Sequence, residues 1–135
     1  MNKDALRTEW CLQQNQFDSY EKHSLYIKLT SIILFAAVLM SNTVNIFIAL
    51  FLAVLWLQDG IWKTFQARIE HRLLLLEKAI LEGSEVVAFQ YNTAFTNARL
   101  NGLPLIIEYV CQSIRPTVAF PHLVLICSVL IQCLL

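Results

Sequence analysis

The residues of this chain that could do chemistry are few and scattered. His23, His71 and His122 lie far apart, and Cys11, Cys111, Cys127 and Cys133 form no C-x-x-C pair with a histidine at zinc spacing. Glu70-His71 lacks the second histidine that a helical metal motif requires. The three glycines, Gly60, Gly83 and Gly102, are isolated, so no phosphate-cradling loop or dinucleotide fingerprint is written here. No spacing marks a Ser/His/Asp relay. The expectation is no enzyme, no cofactor, no metal and four reduced thiols. The densest charged group is Arg68, Glu70 and Arg72, followed by Glu77, Lys78 and Glu82. On one helix such charges pair or face water; they do not catalyse.

The elements that must position these charges are apolar. Of the 135 residues, 57% are hydrophobic, more than so small a soluble domain could bury. Ten acids cancel ten bases, against a nucleic-acid binder or a polybasic lipid sensor, which need a patch of one sign. From Leu29 to Gln58 there is no Asp, Glu, Lys or Arg, and a second such gap runs from Pro116 to Leu135. The expected solvent is a lipid bilayer. About 28 mixed-charge residues, among them Asp4, Glu9, Asp18 and Glu21, precede the first gap, unlike a short basic leader, so that apolar run is expected to be retained.

The reading is an all-α integral membrane protein in five segments. Residues 1–24 place Leu6, Trp10, Leu12, Phe17 and Tyr20 at loose helical spacing, predicting an N-terminal interfacial or cytosolic helix that ends at the first apolar run. Residues 25–58 divide at Ser41-Asn42-Thr43 into a transmembrane hairpin of two short spans, Leu25–Met40 and Val44–Leu57. Residues 59–83 form an amphipathic cytosolic helix on which Trp62, Phe65, Ile69, Leu73, Leu76 and Ile80 recur at spacings of 3, 4, 4, 3 and 4. Gly60 is its one breaker, so it can continue straight from the second span until Gly83-Ser84 ends it. Residues 84–115 are a cytosolic segment, with an apolar-faced helix over Leu105–Ile114 after Gly102-Leu103-Pro104. Residues 116–135 give a C-terminal transmembrane helix, of which Thr117–Leu135 rise about 28 Å. Two rival forms exist: a hairpin wedged into one leaflet, and a last stretch cut by Pro121.

Basic residues orient the spans. Lys22 and Lys28 precede the hairpin, Lys63, Arg68 and Arg72 follow it, and the turn has none, which places both hairpin ends in the cytoplasm. Arg115 then sends the C-terminus outside. Lys28, Trp56, Trp62 and Arg115 are the expected interface anchors. His122 and Gln132 fall near opposite ends of the last span, and with no central acid or base a transporter lacks its marker. Ala37 with Ser41, and Ala49 with Ala53, permit close helix approach within the hairpin or between protomers.

The amphipathic stripe needs a cover: residues 85–115, a second copy, or a partner protein. The expected cover is a second copy, with Phe65, Ile69, Leu73, Leu76 and Ile80 as the seam and Arg68, Glu70 and Arg72 pairing across it. The alternative is a non-catalytic structural or regulatory subunit that docks a larger partner through residues 61–115.

Trp56-Leu57-Gln58-Asp59-Gly60-Ile61-Trp62, followed by Arg68, Glu70, Arg72 and the leucine run, resembles the junction of small bacterial inner-membrane proteins in which a two-span hairpin runs into a charged amphipathic helix. The RipA-type octameric membrane proteins have this layout, and the SLATT-type two-helix effectors of anti-phage systems resemble it more loosely. The resemblance covers roughly residues 25–80. It implies a ring-like bacterial inner-membrane homo-oligomer with no catalytic residues; the function expected of such an assembly is a channel-like or membrane-perturbing element, a defence or stress effector.

Overall fold

The computed structural model describes residues 3–83 and 86–134, and every regular element among them is a helix. Helix α1 is Lys3–Ser41, α2 Ile46–Glu82, α3 Tyr91–Ala98, α4 Leu103–Ser113 and α5 Pro116–Leu134. Three of them, α1, α2 and α5, are long and apolar enough to cross a membrane.

The separate N-terminal helix does not exist. Residues 3–24 continue unbroken into the first apolar run, because no glycine or proline lies between Lys3 and Ser41. The second span and residues 59–82 share one helix, α2, which passes straight through Gly60, the continuation that a lone glycine allows. Ser84, expected to help end that helix, and Leu135 lie outside the described residues. Gly83 caps α2 in the left-handed conformation at φ 70°, donating its N–H to the Ala79 carbonyl at 3.0 Å. The tight turn between α1 and α2 is built as expected from polar side chains. Asn42 takes a left-handed φ of 51°, and the Asn45 side chain caps α2 by accepting from the Phe47 N–H at 3.0 Å.

The hairpin extends well past the apolar runs. Ser24, Ser31 and Val38 recur every seven residues on the buried face of α1, a knobs-into-holes period with small side chains in the seam. At the far end from the turn, Leu6 packs with Leu76 and Ala79, flanked by Trp10, Ile80, Val86 and Ala88. Near the turn, Ala49 and Leu52 of α2 meet Leu125 and Val129 of α5, with Leu34 and Phe35 of α1 against them. Ala49 thus serves packing inside the protomer, one of the two roles its spacing allows.

Helices α4 and α5 run back along α2 towards the turn. Glu108 meets Arg68, Ser113 meets Gly60, His122 meets Asp59, and Leu125 and Val129 meet Leu52 and Ala49. Pro121 lies inside α5 without cutting it, being close enough to the helix start that little of the ladder precedes it. The four cysteines stand free and exposed.

The covered and uncovered leucines of α2 give a direct test. Leu76→Ala, at a fully buried site, should lower stability by about 2–5 kcal/mol. Leu74→Ala, at a site exposed on the protomer, should change the stability of the monomeric protomer by less than about 0.5 kcal/mol. Denaturant or thermal unfolding of the detergent-solubilised protein, followed by circular dichroism, reads both.

Candidate functional site

The site is a cluster of charge buried where α1, α2 and α5 lie side by side. Asp59 follows the uncharged run of α2 and is fully buried, as is His122 on α5, and Ser24 on α1 is nearly so. Ser24 donates a short hydrogen bond to Asp59 Oδ1. Lys28, one turn further along α1, donates to Ser24 Oγ at 3.2 Å and stands 3.6 Å from Asp59 Oδ2. His122 Nε2 stands 3.5 Å from that same oxygen. Oδ2 and both ring nitrogens of His122 are buried without a hydrogen-bond partner. Lys28 alone reaches the surface, with 21% of its side chain exposed.

The depth of this cluster changes how the spans are read. From Ile46 to Gln58, α2 rises only about 20 Å, whereas a slab of about 30 Å that began at the turn would end near Phe65. An aromatic group stands at that level. Trp62 packs 5.3 Å from Tyr20 and 5.0 Å from His23, with Phe65 beside them. Such rings suit a membrane-water boundary. Lys28, partly exposed, lies beside Asp59, and Trp56 is bonded within the protomer, donating to the Ser113 carbonyl at 2.9 Å. Trp62 is half-buried and Arg115 is exposed. A buried Asp59 beside a buried His122 is not anticipated from the sequence, in which no span shows a central acid or base. No local spacing could show it, because the partners are separated by 35 residues in one case and come from another helix in the other.

Beside the cluster two backbones close up. A Cβ on Gly60 would overlap Ser113 Oγ and come within 2.9 Å of Ser113 Cβ, so only glycine lets α4 lie this near. Thr64 donates to the Gly60 carbonyl at 2.9 Å, tying the same turn.

Further from the turn, the stripe expected to meet a second copy is covered from within the chain. Ile69, Leu73 and Leu76 are buried inside the protomer, and Phe65 and Ile80 are half-buried. Arg72 makes a bidentate pair with Glu9 at 2.8 and 3.1 Å, and donates to the Val87 carbonyl at 3.0 Å. The Phe89 N–H donates to the same carboxylate at 2.6 Å. Arg68 pairs with Glu108 at 2.6 Å and lies 5.0 Å over the Phe95 ring. Of the expected interface residues, Glu70 is the exposed one. The physical reason is the hairpin itself, which lays residues 3–24 of α1 on this stripe. A cleft of about 480 Å³ remains between α2, α3 and α4, lined by Arg68, His71, Tyr91, Phe95, Arg99 and Leu100 among others. Burial there pushes the Tyr91 phenol above the ordinary tyrosine range.

No group of three or more potential metal ligands occurs among the described residues. Comparison with protein-family models, with curated proteins and with solved structures gives no match.

Two substitutions test the packing around the site. Gly60→Ala adds helix propensity of about 1 kcal/mol, yet it should lower the melting temperature because α4 must move away. Arg72→Met leaves Glu9 buried without its cation and should cost about 3–5 kcal/mol. Adding Glu9→Leu to Arg72→Met should recover much of that loss, and an unfolding series on the single and double variants checks it.

Proposed function

We propose that the chain is a homo-oligomeric membrane protein of the bacterial inner membrane, its N-terminus cytoplasmic, working without catalytic chemistry as a channel-like or membrane-perturbing element. The observation that carries this reading is an apolar surface beyond the reach of lipid. Measured from the turn, Leu74 and Leu81 lie about 42 and 53 Å along α2, well past a hydrocarbon layer of about 30 Å. They are 59% and 84% exposed, and seven residues apart they share one helix face.

Leu75, Val87, Leu100 and Leu103 are exposed in the same half of the protein. One exposed leucine is ordinary, whereas several on a surface that lipid does not reach call for a protein cover. A second copy fits because exposed Lys78 and Glu82, an i,i+4 pair 3.9 Å apart beside the two leucines, present both signs to a two-fold-related helix that carries the same pair in reverse order. The orientation rests on Lys22, Lys63, Arg68 and Arg115, which all lie away from the turn. The RipA-type resemblance at residues 56–72 supports the same assignment. Since Ala49, Leu52, Leu125 and Val129 fill the interior of each protomer, a conducting path would run between protomers.

The second reading is a structural or regulatory subunit docking a larger partner through residues 61–115. The open cleft between α2, α3 and α4 favours it.

Mass measurement in detergent by light scattering should give a multiple of the 15.5 kDa chain. The double variant Leu74→Glu, Leu81→Glu should fall to monomer with its helix content intact, whereas Leu73→Glu should unfold the protomer. A wild-type monomer would sink the homo-oligomer. A confirmed oligomer that gives no conductance or leakage in a planar bilayer would favour the docking subunit.

A further inference from the structure

The buried cluster holds two basic groups and one acid. Among the described residues, the charged and titratable groups facing it are Lys28 from α1, Asp59 from α2 and His122 from α5. Helix α4 contributes near Gly60 the hydroxyl of Ser113, which donates to its own Tyr109 carbonyl. Lys63 of α2 feels Lys28 and Asp59 at longer range, together with Glu21 and Arg115. With His122 neutral, Lys28 and Asp59 sum to zero. A proton on His122 leaves one surplus positive charge among apolar helices.

We propose that His122 is a proton-binding site, and that its proton exchanges the counter-ion of Asp59 from Lys28 on α1 to His122 on α5. This goes beyond oligomeric assembly and does not depend on it. Asp59 Oδ2 has no hydrogen bond, and the two groups competing for it stand at nearly equal range, Nε2 of His122 at 3.5 Å and Nζ of Lys28 at 3.6 Å. A shift of about 0.6 Å would bring a protonated Nε2 into a charge-assisted hydrogen bond.

Only one of the two cations can leave. His122 is fully enclosed, whereas Lys28 is partly exposed on a flexible stem and can swing its ammonium to the boundary, where long basic side chains lower their cost. Lys28 is also the less committed, because its one hydrogen bond goes to Ser24 Oγ and not to the carboxylate. Ser24 donates to Oδ1 in both states and keeps Asp59 in place. One proton enters from water, no covalent bond changes, and the buried charge stays at zero. In acid, α5 becomes ionically tied to the hairpin and α1 loses its lysine tie.

The test is nuclear magnetic resonance of the full chain in nanodiscs, with ¹⁵N-labelled histidine and ¹³C-labelled lysine, between about pH 5 and 8, where an imidazole titrates. His122 is expected to take up a proton as the pH falls and the Lys28 side-chain signal to move with it, while His23 and His71 serve as references. Lys28→Met removes the competing cation, so His122 should bind its proton about tenfold more tightly, a midpoint shift of about one pH unit. Asp59→Asn should weaken proton binding by a similar factor. If that variant does not fold, the wild type and Lys28→Met decide the matter. A His122 that does not titrate, a Lys28 signal that ignores its titration, or an unchanged midpoint in Lys28→Met would each overturn the proposal.

Discussion

A carboxylate with no access to water fixes how three helices stand against each other. Asp59 is buried between α1 and α5, and burying a charge is tolerable only where partners of opposite sign and hydrogen-bond donors meet it. Ser24 and Lys28 must therefore reach it from α1, and His122 from α5. A one-residue slip turns a helix by about 100° and would carry all of these groups away at once. Replacing such a cluster by apolar side chains often costs nothing, whereas leaving one member unpaired costs several kcal/mol, on the order of 3–5.

Two further ion pairs repeat the constraint at other levels of the same long hairpin. Arg72 with Glu9 ties the far end of α1 to α2, and Arg68 with Glu108 ties α4 to α2. Between these levels the contacts are apolar, with one cluster near the turn and another at the opposite end. Charged locks separated by apolar packing hold α1, α2 and the α4–α5 rod as three lengths in contact. Gly60 sets the closeness of the third length, because any side chain there would strike Ser113.

The apolar helices and the turn between α1 and α2 were legible because they depend on local chemistry, whereas α3 and the unbroken start of α1 were not. Gaps in charge marked the apolar lengths, Ser41 to Asn45 supplied turn chemistry, and Gly83 and Pro104 punctuated the chain beyond α2. The buried cluster was hidden for a different reason. Ser24 and Ser31 occupy seam positions at a seven-residue period, but a period search that counts only apolar residues passes over serines. Lys28, Asp59 and His122 each have an ordinary explanation when read alone, as an anchor, a junction residue and a residue near a helix end. Only the pairing of helices makes them one group. The seven-residue interval from Ser24 to Ser31 to Val38 was the signal that could have led to it.

The cover of the amphipathic stripe is set by the hairpin through the same logic. Once the turn at Ser41 to Asn45 sends α2 back along α1, residues 3–24 have no course but alongside residues 59–82. An intramolecular neighbour then outcompetes a second copy through its effective concentration alone. Leu6 and Trp10 accordingly reach Leu76 and Glu77, and Glu9 reaches Arg72, before any partner could. Leu74 and Leu81 escape because they face away from α1, about a quarter turn or more from the buried Leu73 and Leu76. The stripe that first suggested assembly is thus spent on folding the protomer, and whatever binds this half of the protein must bind the face that the hairpin leaves over.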